Sequence, residues 1–312
     1  MVSNDELMHK LAAGFVVETE QDMSEDYHRL LIQTLTITAD TELISIFSIL
    51  DALKYVPTLN RRLTELAIIQ DELGHAHIAY RLLKHLGVDV DALIYERDAS
   101  EFRNPYLMDL KLQNYAELLT LHALLDRAGY VLLGDIFHHT SYGPWKRALT
   151  KVDAEEGFHV RNGESGLRLL VKTDEGRAAV QAAVDWMFVM GLDFFGMADH
   201  LKKRSLQLDL HLKGETNDQM RQRWMKSTVR FLDSIQIRTP VHWDPEQDAY
   251  LYDFPYPCQW DEAERRWRFD QPIEWSQVLS RFKRHGPYRR EYVQTLRQGR
   301  ETYQKLLREG VA

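Results

Sequence analysis

The sequence predicts an all-α protein organised as an antiparallel helical bundle, and three observations carry that expectation. From about residue 25 to residue 203 the apolar side chains recur at the 3.6-residue period of an amphipathic helix. Short breaks separate the periodic stretches, at YVPT (55–58), RNPY (103–106) and TSYGP (140–144). No strand-like alternation competes over the same span.

Taken in order, the pattern predicts helices over 25–54, 59–86, 113–139, 145–171 and 177–199. Leu31, Leu35, Ala39, Glu42, Ile46 and Ile49 share one face of the first. The second aligns Ile68, Glu72, His75, Ala79 and Leu82; the third Leu119, Ala123, Asp126, Tyr130, Leu133 and Phe137; the fourth Leu149, Val152, Glu156, His159 and Gly163. The fifth contains the most apolar run, WMFVMGLDFFGMA, which is short for a membrane span and is interrupted by Asp193.

Beyond about residue 204 the character changes. A helix over 216–235 leads into VHWDPEQDAYLYDFPYPCQWDEAERRWRFDQPIEW, whose density of Pro, Trp, Tyr and Phe reads as an irregular or hairpin-containing segment, and a basic helix over 276–309 follows. The expected organisation is a bundle with extra helices over 1–212 and an aromatic-rich extension over 213–312. That extension packs on the bundle or on a partner subunit, because aromatics and Arg also enrich interface cores.

Composition narrows the function. A net charge of -8 argues against a sequence-independent hold on nucleic acid. The single cysteine, Cys258, excludes intramolecular disulfides, cysteine-only zinc sites and a protein-held iron-sulfur cluster. MVSNDELMHK lacks a basic region followed by an apolar run, so export is not expected and a reducing cytoplasm fits. No G-x-G-x-x-G fingerprint is present, so this chain is expected to bind neither flavin nor NADPH.

The chemistry lies in QDELGHAHIAY (70–80), where ionisable groups interrupt an apolar stripe. Glu72 and His75 form an E-x-x-H pair on one helical face. The spacing alone is weak, since Glu6/His9 and Glu25/His28 share it. Arrangement decides: the interval from Glu42 to Glu72 equals that from Asp126 to Glu156, so the second carboxylate and E-x-x-H set repeats the first, displaced as a unit. The other pairs have no such partners, and His28 sits roughly 21 Å along its helix from Glu42.

Four carboxylates and two imidazoles are thus aimed at one bundle interior. Buried without countercharge, the carboxylates would cost several kcal/mol each and repel one another. Two divalent cations balance four carboxylates, and hard oxygen donors with one imidazole per metal select iron or manganese. This is the di-metal carboxylate pattern of ferritin-like four-helix bundles, with Glu42, Glu72, His75, Asp126, Glu156 and His159 as ligands. Asp71 and Glu155, directly before the ligand glutamates, either orient a metal-bound imidazole or are solvated helix-face acids. His122, one turn before Asp126, and His77 are placed to approach the site, with ordinary packing or surface roles as the default.

The segments IIQDELGHAHIAY, DRAGYVLLGDIFHHTSYGPWKRA and KVDAEEGFHVRNGE resemble the catalytic A subunits of the phenylacetyl-CoA epoxidase family. The likeness extends to TNDQMRQRW (216–224) and RRWRFDQPIEW (265–275). It places the same six residues on the family's ligand positions, with the third-helix Asp shared. The resemblance implies O2-dependent epoxidation of an aromatic ring carried as a CoA thioester at a di-iron centre. It also implies a flavin and iron-sulfur reductase using NADPH, a small B-type subunit and a related but non-catalytic C-type subunit.

The stretches EFRNPYLM and LLIQTLTIT depart from the family pattern, the second lacking an expected Arg, which leaves a different acyl thioester open. Arg103, Lys202, Lys203, Arg204 and Lys213 are the cations available for CoA phosphates. Iron handling or peroxide scavenging by a ferritin-like bundle is the main alternative. A non-catalytic structural subunit is a further one, but it should have lost ligands.

Overall fold

The computed structural model describes residues 2–202, 205–284 and 286–310. Helix predominates throughout. In chain order the elements are α1 (Asn4–Ala12), α2 (Glu25–Ala52), α3 (Leu59–His85), α4 (Val90–Tyr95), α5 (Tyr115–Leu121), α6 (Arg127–His139), α7 (Gly143–Leu170), α8 (Asp174–Phe194), α9 (Leu206–Asp209) and α10 (Asn217–Ser234). The strands β1 (Val241–Asp244), β2 (Ala249–Tyr252), β3 (Cys258–Asp261) and β4 (Arg266–Pro272) follow, then α11 (Trp275–Lys283) and α12 (Pro287–Arg308). Polar caps start several helices where the sequence supplies them. Thr58 accepts from the Arg61 N–H at the head of α3, and Thr216 and Gln219 form a reciprocal capping box on α10.

The chain forms two compact units. One comprises residues 1–30, 55–57 and 113–279. Within it α5 and α6 pack on α7, α8 lies against α5, and α10 packs on α6. Indoles tie the later elements to these helices: Trp224 Nε1 on α10 donates to the Leu124 carbonyl at 2.8 Å, and Trp267 Nε1 in the aromatic segment donates to the Trp186 carbonyl on α8 at 2.8 Å. Burying an indole costs less when its N–H finds an acceptor, and a backbone carbonyl provides it for both of these.

The other unit comprises residues 31–54, 58–112 and 280–312. Here α2 and α3 bury Leu35, Ala39, Ile49, Ile68, Ala79 and Leu83. The helix α12 is held by a fully buried ion pair, Arg289 with Asp109, at 2.6 Å, and Asn104 adds a 3.1 Å hydrogen bond to the same carboxylate.

Two helix expectations are corrected, and the aromatic segment takes the hairpin-containing form of its two expected alternatives. The helix predicted over 113–139 is interrupted by a π turn at His122–Asp126, where hydrogen bonding locally runs to the fifth residue. The aromatic segment is two antiparallel hairpins, pairing Val241 with Tyr252 and Trp260 with Trp267. The basic helix predicted over 276–309 is two helices with a Gly-Pro pair at 286–287 between them. Proline disfavours helical backbone at the residue before it. Among the described residues the helix Glu25–Tyr55 is long and apolar enough to cross a membrane, yet it carries Asp40 and Glu42 on buried positions.

Candidate metal centre

In the second unit, α2 and α3 bring three of the sequence-predicted ligands together. Glu42, Glu72 and His75 are buried, and each offers a ligand atom within 4.8 Å of the other two. The helical period aims them: Glu72 and His75 are one turn apart on α3, between the fully buried Ile68 and Ala79. Ser45, one turn after Glu42, donates its Oγ–H to the Glu42 carbonyl at 2.9 Å and reaches Glu72 Oε2 at 3.5 Å.

A network that sequence reasoning missed steadies the same two helices. Asp40, fully buried, accepts from Arg97 Nη2 at 2.6 Å and Nη1 at 2.9 Å, from the Tyr80 hydroxyl at 3.0 Å and from the Arg103 N–H at 2.9 Å. Burial and the Asp40 charge push the Tyr80 hydroxyl far above its usual range. Tyr80 lies just past His75 on the same helix, so this contact fixes the stretch of α3 beyond the ligands.

In the first unit the second copy of the motif is equally buried, with Asp126 the most exposed at 8%. His159 Nδ1 lies 3.8 Å from Glu156 Oε2, and Asp126 and His159 offer ligand atoms within 4.8 Å of each other. Two local features bring α7 onto Asp126. The π turn ends on Asp126, and its extra residue per turn re-aims that side chain relative to a regular helix. Gly163, one turn after His159, lets the backbones touch: a Cβ there would strike the Ala123 nitrogen and lie 2.8 Å from the Leu119 carbonyl oxygen.

His122 corrects a sequence expectation. Instead of ordinary packing, its Nδ1 sits 2.6 Å from Asp126 Oδ2, with the ring fully buried. The signal available in the sequence was the spacing of four between them, which places two side chains on one helical face. Gly129, one turn after Asp126, lies beside Glu156, whose Oε2 would be in ordinary contact, at 3.7 Å, with a Cβ placed there.

Chemistry favours a cation here. Two carboxylates buried within 4.8 Å of each other repel unless one is protonated or a cation sits between them. Carboxylate oxygen and imidazole nitrogen are donors that iron accepts. The cluster of Glu42, Glu72 and His75 can therefore hold a metal ion.

The remaining predicted residues are scattered. Asp71 is half-buried on α3, while Glu155 is half-buried and pairs with Lys151 at 2.7 Å. His77 is exposed. Arg103 is exposed at the side chain, its backbone N–H being engaged by Asp40. Lys202 lies 3.6 Å from Asp199. Lys213 is buried and donates to Asn217 Oδ1 at 2.8 Å; burial, with Lys202 nearby, pulls its pKa down to about 8 against the opposing Asp199 and Asp135 charges. Lys203 and Arg204 lie outside the described residues.

The fold and site define a helical protein that carries two copies of a buried carboxylate and E-x-x-H set, at least one of them able to hold a metal ion. The chain is a member of the phenylacetic acid catabolic protein family, whose model matches residues 5–296. It is 26% identical over 257 residues to the A subunit of the 1,2-phenylacetyl-CoA epoxidase of Escherichia coli K12, a match covering 81% of this chain and 83% of that protein. The resemblance first carried by three short segments thus extends over nearly the whole chain.

Proposed function

We propose that this chain is the catalytic subunit of an O2- and NADPH-dependent oxygenase of phenylacetate catabolism, epoxidising the ring of an aromatic acyl-CoA such as phenylacetyl-CoA. The supporting observation is the family match over residues 5–296 in a chain that retains all six ligand residues, each buried. The reading takes Glu42, Glu72, His75, Asp126, Glu156 and His159 as the ligands of one di-iron centre in a ferritin-like bundle, as the repeated sequence pattern implies. Iron handling is the less favoured reading, because the match continues through the aromatic C-terminal segment.

When bound, the iron pair supplies the redox chemistry that divides dioxygen between the ring and water. The chain's residues hold and shield it. Ser45 braces Glu72, His122 holds Oδ2 of Asp126 and leaves Oδ1 as a donor, and the burial of the six side chains keeps bulk water from them. Electrons must come from outside, since one cysteine cannot hold a cluster and no dinucleotide fingerprint is present. A flavin and iron-sulfur reductase is the proposed donor, with B-type and C-type subunits as further partners in the cytoplasm. Leu59, Leu63, Leu66 and Leu73 stand exposed along α3, which supports a partner subunit covering that helix.

The test is metal analysis of protein from iron-supplemented cells, followed by turnover with reductase, NADPH, O2 and phenylacetyl-CoA. The expected result is about two irons per chain, as the ligand pattern requires, and thioester epoxidation coupled to NADPH use. Protein without bound metal would refute the reading. Two irons without coupled oxidation of any acyl-CoA would favour iron handling instead.

A further inference from the structure

The first unit has a second site unconnected with the metal ligands' chemistry. Between the C-terminal half of α7, the outer face of α10 and the β1–β2 hairpin lies a cleft of about 920 Å³, within the size range of small-ligand sites. Five cations line it, Arg127, Arg168, Arg223, Lys226 and Arg230, against two carboxylates, Glu164 and Asp233. Such an excess is unexpected in a chain whose net charge is -8.

The cations are arranged and not merely numerous. Arg223, Lys226 and Arg230 are exposed at the i, i+3, i+7 positions of α10, which puts them on one face. Arg127 and Arg168 converge from α6 and α7 onto the Phe231 ring, their guanidinium carbons 5.7 and 5.1 Å from its centroid. Arg127 is held by Glu164, and Arg223 pairs with Glu215 at 3.1 Å. Among the described residues, no carboxylate pairs with Arg168, Lys226 or Arg230. With Asp233 as the remaining carboxylate in the lining, the cleft keeps a net positive charge, at a cost in mutual repulsion that an anionic ligand would remove.

Aromatic surface lies beside the charge. Trp243 on β1 is 39% exposed, packs edge-on against Tyr250 across the hairpin with centroids 5.2 Å apart, and carries the Lys226 ammonium 5.4 Å from its ring. A fixed, solvent-facing indole next to guanidinium groups offers a stacking platform for a planar ring and forked donors for phosphate oxygens.

We propose that this cleft binds an adenosine polyphosphate, its phosphates held by Arg168, Lys226 and Arg230 and its base stacked on Trp243. Coenzyme A and free adenosine diphosphate share that chemistry. Only the coenzyme A assignment rests on the oxygenase reading; nucleotide binding itself is argued from α7, α10 and the first hairpin, and its test reads binding and not turnover.

The experiment is isothermal titration of the full chain with ADP, coenzyme A, adenosine and inorganic pyrophosphate, at low and at physiological salt. ADP is expected to bind saturably, adenosine and pyrophosphate about tenfold or more weakly, and all phosphate-dependent binding to weaken with salt. Arg230→Glu and Trp243→Ala, both at exposed positions, should each lower ADP affinity about tenfold while leaving the thermal melt unchanged. Coenzyme A binding about tenfold tighter than ADP, and sensitive to both substitutions, assigns the cleft to the thioester's nucleotide; equal affinity assigns it to a free nucleotide. No saturable binding of either, or binding indifferent to both substitutions, overturns the proposal. So does tighter binding of a glutamate-rich peptide than of ADP, which would mark the cleft as a protein-docking surface.

Discussion

If the six residues hold the proposed metal centre, replacing Gly163 by alanine should cost the protein its metal before it costs the protein its fold. The new Cβ would stand 2.8 Å from the Leu119 carbonyl oxygen and 2.9 Å from the His122 carbonyl carbon, where ordinary contact begins at 3.4 Å, so α7 and the π turn must part by at least about 0.6 Å. Both are backbone atoms and cannot rotate away. Overpacking of this kind costs about 1–3 kcal/mol, and the better helix propensity of alanine returns about 1 kcal/mol. The net is a destabilisation of roughly 0–2 kcal/mol, a shift of a few degrees in Tm.

The site is less forgiving, because metal–ligand distances tolerate only about 0.2 Å and the displaced backbone carries Asp126 and His159. Metal affinity should fall by at least about tenfold. The assay pairs anaerobic ferrous titration with thermal melts of the apo protein, and Gly157→Ala is the control. A Cβ at Gly157 meets only the mobile end of Arg161, at 3.1 Å, so that variant should be neutral or slightly stabilised with metal binding intact. A Gly163→Ala protein that binds iron like the parent would refute the close-approach argument and the role of His159 with it.

Three further outcomes are expected. His122→Ala should lower metal affinity about 10–100-fold with little change in helical content by circular dichroism, since it frees the Asp126 carboxylate from its 2.6 Å contact. Arg289→Ala should destabilise by about 3–5 kcal/mol in urea titrations, because it leaves Asp109 charged, fully buried and already pushed up in pKa by burial. Lys213→Met should stabilise at pH 7, by up to about 3 kcal/mol if the whole pKa depression is relieved. Because the folded pKa, about 8, lies below the unfolded value, the penalty of burying the charge is fully present below pH 8. It fades between there and the ordinary lysine value of 10.5, so the gain measured by denaturation should shrink across that window.

Sequence alone specifies the helical class, the positions of the main helices and the burial of all six proposed ligand residues. These follow from local physics: the 3.6-residue period is written in consecutive residues, and a pair of carboxylates that recurs at one fixed interval within apolar stripes needs no tertiary information to be noticed. The other features depend on residues distant in the chain. The π turn at 122–126 is packed against α7, where Gly163 meets Ala123, and no local propensity in HALLD announces it. Asp40 reads as one more helix acid until Arg97, far along the chain, is found on it. The aromatic segment has turn residues in plenty, but its two hairpins, and the indoles of Trp224 and Trp267 that close over α6 and α8, owe their places to carbonyls that other helices present. The cations of α10 look like a solvated face in the sequence, and become a cleft when Arg168 and Trp243 are brought beside them. Periodicity is a property of neighbours in sequence, whereas register, close approach and charge convergence belong to neighbours in space.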